Sequence, residues 1–88
     1  MNSQTEPDFW RMYRRLPRPV RAAARAAYQQ FSADPSHPSL HFERLVCDKR
    51  LWSVRITSSY RAVGLRQGNT ITWFWIGGHA EFDHAFPR

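Results

Sequence analysis

The sequence predicts an α+β fold, with an N-terminal helical hairpin packed on a four-stranded antiparallel sheet and a short helix near the C-terminus. Apolar residues recur with a helical period as far as Phe31, and beyond a proline-containing loop their period changes to two. The breaks between the later segments are two or three residues long, which requires antiparallel neighbours. We expect a single domain over residues 1–88, in which residues 1–7 form a polar tail.

The first helix is predicted to begin at Thr5. Thr5 and Asp8 stand at the two positions of a capping box, and Pro7 lies between them in the first turn. An apolar stripe then follows at the spacing i, i+3, i+4 and i+7, formed by Phe9, Met12, Tyr13 and Leu16. The basic residues interspersed with this stripe point away from it.

The second helix is predicted between Pro17 and a loop over Ser32–Ser39. Pro17 and Pro19 end the first helix and open the second, because proline suits a first turn and not a helix interior. The apolar stripe of the second helix consists of Val20, Ala23, Ala24, Ala27, Tyr28 and Phe31. Its many alanines favour the helix and allow a close approach of the first helix, so we expect a tight hairpin.

The predicted hairpin carries all of the unbalanced charge. The chain has a net charge of +6, and the segment from Phe9 to Ser32 contains six arginines and no acid. These are Arg11, Arg14, Arg15, Arg18, Arg21 and Arg25. A surface this basic indicates an anionic partner such as nucleic acid, an acidic protein segment or a membrane surface. A solvated helix face is the alternative.

The expected compartment is the cytoplasm. The chain has one cysteine, Cys47, which suits a reducing environment. No apolar run is long enough to cross a bilayer, and the first residues contain no signal-peptide core. We therefore expect no membrane partner.

Four strands are predicted after the loop: Leu40–Val46, Leu51–Thr57, Tyr60–Arg66 and Thr70–Ile76. The last is apolar on both faces from Trp73 onward, so we expect it inside the sheet, with helices on one face and other structure near the opposite face. Gly77 and Gly78 end this strand, and residues 79–86 predict a short terminal helix.

The second predicted hairpin places two arginines side by side. Alternation along the strand turns Arg55 away from the apolar face formed by Trp52, Val54 and Ile56. A two-residue turn would pair Arg61 with an apolar residue and bury it without a partner, at a high cost in free energy. We therefore expect a three-residue turn over residues 57–59, which pairs Arg61 with Arg55 on an open, anion-binding face. The alternative is an internal ion pair of Arg61 with one of three carboxylates, those of Glu43, Glu81 and Asp83.

Four segments together resemble the RelE/ParE toxin superfamily of bacterial type II toxin–antitoxin systems. They are Arg44-Leu45, Leu51–Ile56, Ser59–Val63 and Phe74–Gly77. The resemblance runs from about Phe9 to Phe86. The opening edge strand of the family is not expected here, because Met1–Pro7 is too polar to supply one.

The resemblance implies a ribosome-dependent mRNA endonuclease that cleaves RNA without a metal ion and so blocks translation. Such cleavage needs cations for the charge on phosphorus and groups that move protons. The expected catalytic residues are Arg61, His79 and Glu81. Arg61 is the firmest match to the family's basic strand positions, and its guanidinium binds two phosphate oxygens. His79 is chosen for the chemistry of its imidazole, which transfers a proton, and Glu81 orients it or acts as the base. A polar cap over the Gly77-Gly78 turn is the alternative role for His79. The expected nucleic-acid-binding residues are Arg44, Lys49, Arg50 and Arg55.

Two other functions remain open for this family. One is inhibition of DNA gyrase in the manner of ParE, by protein binding, and the other is a degenerate member that binds a partner without toxicity. Phe82 or Phe86 stands about where members with RelE activity carry a Tyr. In every case the expected partner is a cognate antitoxin with an acidic or amphipathic segment.

No metal or other cofactor is expected. Pro38 separates His37 from His41, so the two do not share a helix face, and Cys47 and His84 add no recognised ligand spacing. Three tryptophans are candidates for stacking on bases, with core packing as the alternative: Trp52, Trp73 and Trp75.

Overall fold

The computed structural model describes all residues from Met1 to Arg88, and it confirms the α+β fold. The strands are β1 (Asn2–Thr5), β2 (Glu43–Arg44), β3 (Leu51–Thr57), β4 (Tyr60–Gln67) and β5 (Thr70–Gly78). The helices are α1 (Pro7–Arg14), α2 (Arg18–Ala33) and α3 (His79–Ala85), with a 3-10 turn at Pro38–Leu40. One five-stranded sheet has the order β1-β5-β4-β3-β2, in which β1 runs parallel to β5 and the other neighbours are antiparallel.

The strand β1 was not expected from the sequence pattern. It pairs with Thr70–Trp73 of β5, and the backbone N–H of Glu6 donates to the carbonyl of Trp73 at 2.9 Å. The strand is polar because it lies at the edge, and because Ser3 accepts a hydrogen bond from Trp73 Nε1 at 2.8 Å. The polar tail, the missing edge strand and the four-stranded, purely antiparallel sheet were therefore wrong.

The start of α1 also differs from the capping-box pattern. Thr5 ends β1, and its hydroxyl accepts a hydrogen bond from Trp10 Nε1 at 2.9 Å. Glu6 takes the N-cap position without a side-chain hydrogen bond. The backbone pairing of Thr5 with Trp73 removes this residue from the cap.

The apolar stripes of both helices face one side of the sheet, as their periods predicted. The core residues are Phe9, Leu16, Ala24, Phe31, Leu40, Val54, Ala62, Ile71, Trp73 and Ile76. Tyr28 is the exception in the second stripe, because its side chain is 49% exposed.

The two helices form the predicted hairpin and are joined by the hydrogen bond from Arg25 Nη1 to the Tyr13 hydroxyl, at 2.7 Å. They do not pack closely along their length, so the expected tight packing was wrong. α1 packs chiefly on β5, whereas α2 packs on β3. An apolar groove of about 350 Å³ opens between them and reaches Val54 and Ala62 of the sheet. The exposed rings of Trp10 and Tyr28 line this groove.

The strand predicted over Leu40–Val46 shrinks to the two residues of β2. Leu40 belongs to the 3-10 turn, where it is 2% exposed and packs in the core. The loop before it is shorter than expected, since α2 continues to Ala33.

The far face of the sheet is partly covered by α3. As predicted, β5 lies inside the sheet and a short helix follows it directly. Trp75 contacts Phe82 of this helix and Phe86 directly after it, with ring centroids 6.1 and 5.3 Å away. None of the helices has both the length and the apolar character that a membrane crossing demands.

Candidate nucleic-acid interface

Arg55 and Arg61 are direct cross-strand partners on the face of the sheet that α1 and α2 leave uncovered. This register was predicted, but the expected three-residue turn was wrong. Ser58 and Ser59 form a two-residue turn, and a β-bulge between Arg55 and Thr57 absorbs the extra residue. The bulge shifts the register by one residue and so keeps both guanidinium groups out of the core.

Arg61 is held in place by backbone carbonyls and not by an acid. Its Nη1 donates to the carbonyl oxygens of Thr57 and Tyr60, at 2.8 and 3.1 Å. The chain contains three ion pairs, and they involve neither Arg55 nor Arg61. The alternative in which Glu43, Glu81 or Asp83 neutralises Arg61 is therefore not realised, and Nε and Nη2 remain available to an anion.

Glu81 lies over the end of β5 that continues the Arg55–Arg61 row. Gly77 is the cross-strand partner of Arg61. A Cβ built on Gly77 would lie 3.6 Å from Glu81 Oε2, and one on Gly78 would lie 3.0 Å from Oε1. The two glycines thus leave room for the carboxylate, which places Glu81 beside the cationic row.

His79 begins α3 at the same end of the sheet. Its backbone N–H donates to the carbonyl of Ser59 at 2.7 Å, which ties the helix to the β3–β4 turn. Its Nε2 lies 3.2 Å from Asp83 Oδ2, and both side chains are about half exposed. The partner of His79 is therefore Asp83, and the expected orientation by Glu81 is not what the structure shows.

Asp83 is the residue of this constellation that was missed as a partner of His79. The signal was present, because residues four apart on a helix lie on one face.

The other residues predicted to bind nucleic acid do not join this row. Arg44 pairs with Trp52, whose side chain packs on the core, so Arg44 lies on the opposite face of the sheet from Arg55. Lys49 and Arg50 belong to the β2–β3 connection at the other end of β3. The sequence pattern could not place them, because most of the predicted first strand is irregular.

Arg50 is moreover occupied by a carboxylate. Its Nε and Nη2 donate to Asp48 Oδ1 and Oδ2 at 3.1 and 2.7 Å, and its backbone N–H donates to Oδ1 at 2.9 Å. These hydrogen bonds, the side-chain ones above all, lower the pKa of Asp48 to about 2. The same carboxylate raises the pKa of Arg50.

The three tryptophans occupy different places. Trp73 is 4% exposed in the core, and Trp52 packs against the core from the edge. Trp75 lies on the other face beneath α3. His37 is engaged locally with Ser39 through Nδ1, and no group of three or more His, Cys, Asp or Glu side chains is placed to hold a metal ion.

Solved structures share this fold at low sequence identity. The RelB–RelE antitoxin–toxin complex from Methanococcus jannaschii matches with a TM-score of 0.76 and 14% identity, over 96% of this chain and 99% of that chain. The YoeB/ParE toxin from Agrobacterium tumefaciens matches with a TM-score of 0.67 and 20% identity, over 90% and 99%. YafQ from E. coli matches with a TM-score of 0.73 and 7% identity, over 92% and 96%.

A comparison with curated protein sequences finds no match. The family model of the ParE-like toxin domain, however, matches residues 18–84. This range extends from the start of α2 to the last turn of α3, and it contains the Arg55–Arg61 row together with His79, Glu81 and Asp83. The chain therefore belongs to the family of ParE-like toxin domains.

Proposed function

We propose that this ParE-like toxin is a ribosome-dependent mRNA endonuclease that blocks translation. One observation carries the proposal: two guanidinium groups without carboxylate partners lie side by side, next to a helix that begins with His79. Directly opposed cations repel each other unless an anion lies between them. A phosphodiester supplies such an anion.

The chemistry requires no metal ion. The ribose 2′-oxygen attacks phosphorus and the bond from phosphorus to the 5′-oxygen breaks, which leaves a 2′,3′-cyclic phosphate and a 5′-hydroxyl. Arg61 holds the non-bridging oxygens through Nε and Nη2, and Arg55 adds a second cation. Glu81 takes the proton of the 2′-hydroxyl, and His79 gives a proton to the departing 5′-oxygen while Asp83 orients its ring.

The test is induced expression in a bacterial host, with growth as the first readout and mapping of mRNA 5′-ends as the second. We expect growth arrest, and cuts that disappear when a translation inhibitor is added first. Arg61→Ala and His79→Ala should each lower cleavage by about 100-fold or more, because each removes a group that acts in the transition state.

Arg14→Ala is the matched control, since Arg14 is an exposed arginine of α1 far from the row in the chain. It should leave cleavage intact, and circular dichroism should show that all three variants fold. Full toxicity and unchanged cuts in both folded site variants would contradict the assignment.

Inhibition of DNA gyrase is the second candidate. The observation that favours it is the packing of Phe82 and Phe86 against Trp75. Phenylalanine rings cannot transfer protons, so these two residues suit a protein-binding surface better than a cleavage site. An SOS response with filamentation, and loss of supercoiling by purified gyrase in the presence of the protein, would support this function over RNA cleavage.

The proposed partner is an antitoxin segment that is apolar on one side and acidic on the other. The groove between α1 and α2 supports this choice, because its floor is apolar and Arg25 lies among the residues that line it. The two helices that flank the groove carry five arginines and one acid, Asp8, so a second copy of this chain would be repelled, whereas an acidic segment would be attracted.

Co-purification with the product of an adjacent small open reading frame tests this partner. Ala27→Glu introduces a carboxylate into the groove lining and should abolish co-purification. Ala26→Glu is the control, because Ala26 is exposed on the same helix and does not line the groove. If both variants retain the partner equally, the partner binds outside the groove between α1 and α2.

A further inference from the structure

A second cationic site lies on the opposite face of the sheet, at the far end from Arg61. Arg66 is five residues along β4, about 16 Å away at the usual strand rise. It pairs with Ile71, a core residue on the helix side. Arg61 and Arg66 therefore cannot bind the same phosphate group.

The guanidinium of Arg66 is oriented by aromatic rings. It lies 4.7 Å from the ring centroid of Trp52 and 5.8 Å from that of Phe42. Its Nε donates to the carbonyl of Gly68 at 3.2 Å, and no carboxylate pairs with it. A stacked guanidinium keeps its plane fixed and presents Nη1 and Nη2 at the edge, in the geometry that binds two phosphate oxygens.

Arg44 is a second cation on the same face of the sheet as Arg66. Arg44 is exposed, makes no ion pair, and shares the face of its cross-strand partner Trp52. The backbone carbonyl of Arg50 accepts from Arg66 N–H at 2.9 Å, so Arg50 lies next to it, although its own side chain binds Asp48.

A hollow of about 540 Å³ opens beside Arg66, and His37, His41, Phe42 and Glu43 are among its lining residues. His41 has a φ of 45°, a left-handed conformation that is uncommon for residues other than glycine. This conformation ends the 3-10 turn over Pro38–Leu40. The imidazole of His41 is exposed and makes no hydrogen bond within the chain.

We propose that this hollow binds one nucleotide of single-stranded RNA, with the phosphate on Arg66 and the base against Phe42 and His41. Aromatic and imidazole rings beside a fixed guanidinium suit a base next to a phosphate. The two rings decide between RNA and an acidic peptide: a peptide carboxylate would bind Arg66 but leave Phe42 and His41 without a planar partner, whereas a base stacks on such rings. The site goes beyond the proposed function, because it shares no residue with the cleavage site.

The experiment uses the full chain with Arg61→Ala and His79→Ala, so that RNA is bound and not cut. Fluorescence anisotropy measures the Kd for a labelled single-stranded RNA of about ten nucleotides over a range of salt concentrations. Adding Arg66→Gln should weaken binding about tenfold and lower the slope of log K against log salt by about 0.7, as expected for one lost phosphate contact.

Two further variants guard against loss of folding at Arg66. His41→Asn removes the ring, and asparagine tolerates the left-handed conformation, so the fold should persist while binding weakens about threefold. Arg14→Ala removes one exposed arginine from α1 and should change the Kd less than twofold.

Equal affinity of the Arg66→Gln and Arg14→Ala proteins, with both folded, would overturn the proposal. A labelled oligoglutamate peptide that binds as tightly as RNA and depends equally on Arg66 would also overturn it, and would indicate an acidic protein partner. RNA binding that depends on Arg66 in a protein whose parent neither arrests growth nor cuts mRNA would refute the cleavage proposal alone.

Discussion

Single residues show where alternation along a strand is informative and where it is not. Arg55 was placed on the uncovered face from its apolar neighbours, and Arg61 was placed opposite it because burial of an unpaired guanidinium is costly. The cost of burying the guanidinium selects the register that pairs Arg55 with Arg61. The same register results whether the extra residue lies in the turn, as expected, or in a β-bulge, as the structure has it. The sequence therefore predicted the pair of arginines correctly and the turn between them wrongly.

The ion pair of Asp48 and Arg50 makes stability depend on pH. The pKa of Asp48 lies at about 2 in the folded chain, below its ordinary value of 3.8. A carboxyl group whose pKa is lower in the folded chain than in the unfolded chain stabilises the fold at pH values above its unfolded-state pKa. This contribution is lost as the pH falls through the folded-state pKa. We expect the urea midpoint to fall between about pH 5 and about pH 2, and to fall less in Asp48→Asn.

In Arg50→Gln the urea midpoint should also fall less with pH than in the wild type, because this variant lacks the guanidinium that donates the same hydrogen bonds to Asp48. Identical midpoints of wild type and both variants across this pH range would show that the pair contributes nothing.

Helices and strands were predictable where one buried face gives the apolar residues a regular spacing. They were not predictable where hydrogen bonds of the backbone alone hold the element in place. β3, β4 and β5 each have an apolar face on the core, and their limits were anticipated within two residues. β1 carries no such pattern, since it is an edge strand held by hydrogen bonds to β5. β2 was overestimated because Leu40, which continues the apparent alternation, is buried through a 3-10 turn.

The side chain of Ser3 anchors β1 to the core. Its hydroxyl is the hydrogen-bond partner of Trp73 Nε1, on a ring that is 4% exposed. Ser3→Ala should lower the free energy of unfolding by about 1–3 kcal/mol, because a buried donor is left unpaired. Urea denaturation measures this change.

Gln4→Ala is the matched control, because Gln4 lies on the exposed side of the same strand and forms no side-chain hydrogen bond. It should change stability by less than about 0.5 kcal/mol. A Ser3→Ala protein as stable as the control would show that water replaces the hydroxyl.

The charge distribution belongs to the whole molecule. Five of the six arginines between Phe9 and Ser32 are exposed, and Arg11 is the one that pairs with an acid, Asp8. Their mutual repulsion opposes folding at low ionic strength, because Asp8 is the one acid that pairs with any of them.

The free energy of unfolding should therefore rise by several tenths of a kcal/mol as NaCl increases from about 20 to about 300 mM. Arg14→Gln should raise stability at low salt and reduce this dependence, whereas Lys49→Gln, in the loop before β3, should do neither. Stability that stays constant or falls with added salt would refute this account.

The order of α1, α2, β3, β4, β5 and α3, the face occupied by each apolar stripe and the pairing of Arg55 with Arg61 follow from the chain, because periodicity and the cost of burying charge are local properties. The groove between α1 and α2, the pairing of β1 with β5 and the position of Arg44 relative to Arg61 come from the folded molecule. These features depend on how distant segments approach one another, and no spacing along the chain records that approach.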